Sequence, residues 1–234
     1  LGATGFLGRN ITEHLSKDKK FNVYGVWNIK PPADLNNVTW IKGDLTKKND
    51  VERIITDFDV VIQMASVTSG SKDVVNSPFI HIADNAIMNS HIFRTVFEKR
   101  INHLIFPSCS IMYESRDKSH DENSFNLSGN IQKNYFGGAW NKIYFEKMCE
   151  FYSNLGKTKF SVIRHTNVYG PHDKFDLEKS HVFGASITKI LKNKSGVVNI
   201  WGDGKEGRDL IYVDDLNRLI ELIIEKQKNS FELI

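Results

Sequence analysis

The sequence predicts an α/β protein built on a doubly wound parallel sheet. Three observations carry that expectation. Apolar spacing switches between the near-continuous runs of buried strands and the three- and four-residue spacing of helices. The two patterns alternate along the chain, the order in which a parallel sheet is covered on both faces. And "GATGFLG" (2–8), with a glycine at every third position, runs straight into an amphipathic stretch.

The elements follow in order. "FLGRNITEHLSKD" (6–18) predicts a helix. "FNVYGVW" (21–27) and "VTWI" (38–41) predict strands, and "DVVIQMA" (59–65) a buried one. Phe79, Ile82, Ala83, Ala86, Phe93, Val96 and Phe97 share one helical stripe and predict a long helix over 79–100. "HLIFP" (103–107) is a buried strand stopped by Pro107, and residues 114–134 are polar and loop-like. "AWNKIYFEKMCEFYSNL" (139–155) predicts a helix stopped at Gly156. "KFSVIRH" (159–165) and "VVNIW" (197–201) read as strands, and "HVFGASITKILKN" (181–193) as a helix. "VDDLNRLIELIIEKQ" (213–227) predicts a last helix with Asp214 or Asp215 near its start. Residues from about 166 onward are more irregular, as in a small lobe packed over the ligand-binding edge of the sheet. The chain shows no internal repeat.

Composition sets outer limits. Of 234 residues, 40% are hydrophobic and 25% charged, enough apolar material for a sizeable core. A net charge of +3 gives no sign of a nucleic-acid or membrane surface binder. No apolar run approaches the roughly 20 residues of a membrane span. Two cysteines, Cys109 and Cys149, make no disulfide framework and suit a reducing cytoplasm. None of the eight histidines has cysteine or carboxylate partners at metal-ligand spacing.

The glycine loop has a physical use. Gly2 permits a tight turn, Gly5 lets backbone approach a pyrophosphate, and Gly8 lets the helix lie close to the sheet; the helix start offers free N–H groups to phosphate. A plain turn before a helix is the alternative. Support comes from "GDL" (43–45), whose Asp44 can reach an adenine amino group, and from "QMAS" (63–66) and "FPSCS" (106–110), which end strands at the crevice edge. No carboxylate stands at the end of the 21–27 strand to hold a ribose 2′-hydroxyl. Lys30 and Arg9 can hold the 2′-phosphate of NADP, while Asn28 can bind either ribose, so the cofactor is NADP or NAD with a slight lean to NADP.

Together "GATGFLG", "GDL", "DVVIQMAS", "NVYGP", "IWGDG" and "RDLIYVDDL" resemble the extended short-chain dehydrogenase/reductase family of NAD(P)-dependent nucleotide-sugar epimerases, dehydratases and reductases, in the family's order and over the whole chain. "YGPHDKFDLEKSHVFGASITK" is most similar to its GDP-L-fucose synthase branch. The resemblance implies a Rossmann-type cofactor domain (1–165), a partial nucleotide-sugar lobe interleaved with it (166–234), and a homodimer in the full-length form. Family members open on a buried central strand of about six residues ahead of the glycines. Only Leu1 precedes them here, and the family's second lobe continues beyond "FELI". The expectation is a fragment truncated at both ends, with two strands left unpaired and a groove in the core.

The resemblance also implies roles. Gly2, Thr4, Gly5, Phe6, Leu7 and Gly8 would hold the cofactor, with Asn28, Lys30, Asp44, Leu45, Met64, Ala65, Ser66, Asn85, Pro107, Ser108, His165, Asn167 and Val168. The family works with Ser or Thr, Tyr and Lys. Lys142, in a Lys-x-x-x-Glu pattern with Glu146, matches the lysine that holds the nicotinamide ribose; an exposed Lys142–Glu146 pair is the plain alternative. Gly138 stands where the proton-transferring tyrosine belongs. Gly137 and Gly138 make an unbroken helix there unexpected, so Tyr135 either folds back from a loop to substitute or is a surface tyrosine. Cys109 stands at the serine position, flanked by Ser108 and Ser110; either serine can take over, and Cys109 is an epimerisation base or an inert thiol. His181 matches the acid partner in epimerisation and also borders the cofactor, or else merely packs at a helix start. Asn167, Lys189, Trp201 and Arg208 would hold the nucleotide sugar, a GDP-sugar in this branch. The implied function is hydride transfer at a sugar carbon with acid/base help. The alternative is a binding protein that kept cofactor and sugar sites but lost redox chemistry, a reading that Gly138 favours.

Overall fold

Two apolar cores lie on opposite faces of a parallel sheet in the computed structural model of the chain, which describes residues 1–68, 76–114, 118–177, 180–200 and 202–234. The strands are β1 (Val23–Trp27), β2 (Val38–Lys42), β3 (Val60–Ile62), β4 (His103–Pro107), β5 (Lys159–Ile163), β6 (Asn167–Tyr169), β7 (Leu210–Tyr212) and β8 (Phe231–Leu233). The helices are α1 (Phe6–Leu15), α2 (Lys48–Ile54), α3 (Ala83–Glu98), α4 (Phe136–Leu155), α5 (Val182–Lys192) and α6 (Val213–Lys226). Strand alternation sorts the side chains. Leu104, Phe106, Phe160 and Val162 point into a core made with α2, α3 and α4, where Phe93, Phe106 and Phe145 meet edge to face. Ile105 and Ile163 point the other way, into a core shared with Ile11 and Leu15 of α1 and Leu216, Ile220 and Ile223 of α6.

All strand pairs are parallel. β3, β4, β5 and β8 form one sheet in that order, and β1 and β2 form another. Leu1–Ala3 links the two: the Leu1 nitrogen donates to the Ile62 carbonyl, Met64 N–H to the Leu1 carbonyl, and Ala3 N–H to the Val26 carbonyl. The order across the molecule is therefore β2–β1–(Leu1–Ala3)–β3–β4–β5–β8, the arrangement of a Rossmann-type sheet. Beside this short link, β1 and β3 make no ladder with each other. A cavity of about 550 Å³ opens between them, lined by Ala3, Ile11, Leu15, Val26, Val61 and Ile62 among others.

Several expectations are corrected. Residues 197–200 form no strand: Val197 and Ile200 are exposed and no neighbouring edge pairs with them. The buried strand over 59–65 narrows to β3, and a 3₁₀ turn (Pro78–His81) precedes α3. The stripe drawn from Phe79 and Ala83 is off by part of a turn. Both are exposed, and α3 buries Asn85, Met88, Asn89, Ile92, Phe93, Thr95 and Val96. α4 is unbroken from Phe136, so Gly137 and Gly138 are helical. α2, β6, β7 and β8 were not expected, being short. Gly156 does end α4, in extended rather than left-handed backbone, and Asp214 and Asp215 lie in the first turn of α6.

One buried polar group makes the fold pH-sensitive. His103, on β4, is fully buried, with Nε2 2.7 Å from the Ser161 hydroxyl, which in turn donates to Gln227. Burial, helped by the charge of Lys159, pulls the imidazole from 6.5 down to about 4. The unfolded chain therefore binds more protons between these pH values, so stability is complete above the higher and falls as pH drops toward the lower. The slope for this histidine is about 1.4 kcal/mol per pH unit. Urea midpoints should fall between about pH 7 and pH 5, less steeply in His103→Gln.

Candidate active site

The carboxyl ends of β3, β4 and β5 share one edge of the sheet, and Leu1–Ala3 brings the end of β1 beside it. The glycine loop forms the wall of the crevice there, at β3. Gly2 has φ +72°, a left-handed turn that glycine alone adopts freely, and a Cβ there would lie 2.5 Å from the Ala65 nitrogen. A Cβ on Gly8 would lie 2.1 Å from the Gly2 carbonyl oxygen, so Gly8 serves the closeness of α1 to its own loop rather than to the sheet. Gly5 is different. It is exposed, and a Cβ there would meet only the Gly2 oxygen, at 3.4 Å. Gly5 is the N-cap of α1 with no side-chain cap, so the first-turn amides of Phe6, Leu7 and Gly8 meet no capping side chain. A bare, glycine-walled helix start fits a dinucleotide diphosphate.

The loop after β3 is held by a ladder of amides. Gln63 Nε2 donates to Asn89 Oδ1 at 3.0 Å and to the Ala65 carbonyl at 3.1 Å; Asn89 Nδ2 donates to the Asn85 carbonyl. Asn85 accepts from Val67 N–H at 2.9 Å and from the Ser66 hydroxyl, and donates back to the Val67 carbonyl. Asn85 thus shapes the loop carrying Met64, Ala65 and Ser66. Sequence reading missed Gln63 and Asn89; the signal was a pair of amides at positions where strand and helix otherwise bury apolar groups.

The chemistry-bearing end lies above β4 and β5. Glu146 is buried on α4 and takes a bidentate contact from Arg164, with Nη2 at 2.6 Å from Oε2 and Nε at 3.2 and 3.1 Å from the two oxygens. The Ser108 hydroxyl donates to the same carboxylate, and Arg164 Nη1 donates to the Tyr113 hydroxyl at 2.8 Å. Burial works against the charge of Arg164, but its bonds to Glu146 and Tyr113 still raise its pKa. Glu146 is therefore no partner of Lys142, and the plain reading of an exposed pair is excluded. Lys142, one turn earlier, donates to the Pro107 carbonyl at 3.0 Å and lies over the Phe106 ring. Burial pulls the Lys142 ammonium down; nearby Cys109 and Glu146 oppose that. Burial pushes the Cys109 thiol up, so it stays protonated despite Lys142. Ser110 N–H donates to the His165 carbonyl at 3.1 Å, zipping the segments after β4 and β5 together. Ser108, tied to Glu146, does not face the crevice, whereas Cys109 and Ser110 stay partly accessible.

The remaining expected residues spread around this centre. His181 is the exposed N-cap of α5, and its charge acts on Asp173 and His165. Asn167 Nδ2 donates to the Asp209 carbonyl at 3.2 Å, beside Arg208, while Val168 is buried in β6. Tyr135 is the N-cap of α4, two turns before Lys142 on a continuous helix, and does not fold back from a loop. Asp44 accepts from Thr46 N–H and Oγ1, and Leu45 is buried. Asn28 and Lys30 are exposed past β1, and Thr4 is partly exposed. Arg9 is drawn to Glu13 at 2.8 Å. Lys189 donates to the Asn199 carbonyl, and Arg208 pairs with Glu206 at 2.6 Å. Trp201 lies outside the described residues.

This sheet order, with a glycine cradle at one strand end and a half-buried lysine on the helix beside the next, defines a Rossmann-type dinucleotide-binding protein. A family model, the NAD dependent epimerase/dehydratase family, matches residues 1–233, and the chain belongs to that family of nucleotide-sugar epimerases and reductases. It is 28% identical to GDP-L-colitose synthase of Yersinia pseudotuberculosis over 92% of this chain and 68% of that protein. It is 29% identical to GDP-L-fucose synthase of Azorhizobium caulinodans over 96% of this chain and 69% of that protein. Among solved structures, UDP-N-acetylglucosamine 4-epimerase from Methanobrevibacter ruminantium M1, in complex with UDP-N-acetylmuramic acid, aligns with a TM-score of 0.80 at 26% identity, covering all of this chain and 74% of that one. Among the described residues no helix is long and apolar enough to cross a membrane.

The buried carboxylate at Glu146 yields a stability test. Glu146→Ala leaves the Arg164 guanidinium buried without its counter-charge and is expected to cost about 3–5 kcal/mol in urea unfolding. Removing both charges, as Glu146→Leu with Arg164→Met, should recover most of that loss.

Proposed function

We propose that this protein is an NAD(P)-dependent nucleotide-sugar epimerase/reductase acting on a GDP-sugar. The observation that carries this reading is Lys142, fixed by the Pro107 carbonyl at the same crevice edge as the bare glycine cradle. When bound, a nicotinamide cofactor supplies hydride exchange at a sugar carbon. The chain's own residues hold it: the first-turn amides of α1 at the diphosphate, Asp44 and Leu45 toward the adenine, Ala65 and Ser66 along its length, Lys142 at the nicotinamide ribose. Lys30, with no carboxylate at the end of its strand, supports a slight lean to NADP, while Asn28 suits either ribose. His181 acts as acid partner in epimerisation, and Cys109 lies within reach of the same space. Family membership and the half-buried lysine favour an enzyme over a pure cofactor-binding protein.

Residues 1–165 form the cofactor part and 166–234 the substrate part, in which Asn167, Lys189, Trp201 and Arg208 hold the nucleotide sugar. Incubation with NADP(H) or NAD(H) and a panel of GDP- and UDP-sugars, followed by NMR, tests the activity; conversion of a GDP-sugar is expected, and no conversion with any sugar counts against it. Arg208→Ala should weaken nucleotide-sugar binding by about 1.5–3 kcal/mol, the range for a charge-assisted hydrogen bond, with cofactor affinity unchanged in calorimetry.

The working form is a homodimer in a reducing cytoplasm. Phe136, Trp140, Tyr144, Phe151 and Leu155 make an exposed apolar row along α4, four or seven residues apart, which supports this face as the seat of the second copy. Tyr144→Glu with Phe151→Glu should shift sedimentation from dimer to monomer.

A further inference from the structure

We propose that the imidazole of His165 is the proton-transfer group of the redox step, in place of the side chain that Gly138 lacks; this rests on the epimerase/reductase reading above. The front of α4 offers no other group. Among the described residues a Cβ on Gly138 would meet only Ile111, at 3.6 Å, an ordinary contact. Tyr135 lies two turns from Lys142, and the Cys109 thiol is held protonated.

His165 has the geometry. It stands two residues past β5, and its carbonyl accepts from Ser110 N–H, next to the Cys109 position. Its Nδ1 lies 2.8 Å from the Thr166 carbonyl oxygen. A carbonyl only accepts, so Nδ1 carries the hydrogen and Nε2 of the neutral ring carries a lone pair. Among the described residues Nε2 has no hydrogen-bond partner, and it is not one of the sealed, unpaired polar atoms, on a residue that is half-buried. The charged groups acting on the ring are Lys142 from α4 and His181 from the start of α5. Burial first, then these two charges, pull the imidazole down to about 4, against the bond to Thr166, so it is neutral near pH 7 and free to accept.

The step balances. As a sugar C–H electron pair leaves as hydride for an oxidised nicotinamide, the C=O bond forms and the hydroxyl proton passes to His165 Nε2. In the reverse direction the imidazolium returns that proton to the oxygen as hydride reaches the carbonyl carbon. Lys142 acts against the imidazolium through space, which favours return of the proton.

The test joins two readouts. In ¹⁵N NMR of the protein, with His165 assigned through His165→Gln, Nδ1 should carry the hydrogen. GDP-L-fucose with oxidised cofactor should then shift Nε2 and leave Nδ1 in place. In turnover of the same pair, His165→Gln and His165→Asn should lose at least about a hundredfold in kcat. GDP-L-fucose affinity should stay within about threefold, a difference under 1 kcal/mol. A protonated Nε2 in the resting protein, an Nε2 signal indifferent to bound GDP-L-fucose, or variants with wild-type kcat would each overturn the assignment. A wild type that binds and converts no nucleotide sugar would instead sink the epimerase/reductase reading, and the resting tautomer would still decide the geometry at His165.

Discussion

The carboxyl edge of this sheet depends on one buried contact, the fork of Arg164 on the carboxylate of Glu146. Two charges have been taken out of water, and only near-complete mutual satisfaction makes that tolerable. Here the carboxylate takes the Nε and Nη2 edge of the guanidinium and the Ser108 hydroxyl, while Nη1 of Arg164 reaches Tyr113. The contact pins α4 to the ends of β4 and β5. It fixes the rotation of α4, and with it the direction in which Lys142 points. It also fixes the backbone just past β5, where His165 begins the segment that runs on to β6.

A second constraint acts at the other end of the crevice. The turn at Gly2 brings its backbone against Ala65, and Gly8 brings the first turn of α1 against Gly2, at separations no Cβ would allow. Leu1–Ala3 joins β1 to β3 at this end only, leaving the cavity between the two strands lower down. The amide ladder Gln63–Asn89–Asn85 carries the same ordering to the loop after β3. Glycine cradle and lysine end are thus held independently, by backbone closeness on one side and by a buried ion pair on the other.

Much of the fold was legible in the sequence because buried parallel strands and two-faced helices leave strong periodic marks. β1, β2, β4, β5, α1 and α6 stood out for that reason. The false strand at 197–200 shows the limit: its apolar residues alternate, but no edge receives them. α2 and β8 went unread because seven and three residues hold too little period. The start of α4 was misread since two glycines weaken a helix locally, yet packing of Ala139 and Ile143 against Met112 carries it through. Motif order pointed to Lys142, Gly138 and the glycine loop. It did not reveal that Glu146 turns from Lys142 to Arg164, because that choice is made by tertiary burial across eighteen residues. Nor did spacing show which nitrogen of His165 is bare, a consequence of one backbone carbonyl.

The most direct test of this account is a crystal structure of the protein with an oxidised nicotinamide dinucleotide and GDP-L-fucose. The account predicts the diphosphate on the amides of Phe6 and Leu7, the nicotinamide ribose on Lys142, and a sugar hydroxyl hydrogen-bonded to His165 Nε2. A dinucleotide lodged in the cavity between β1 and β3, or a nicotinamide ring out of reach of Lys142, would contradict it.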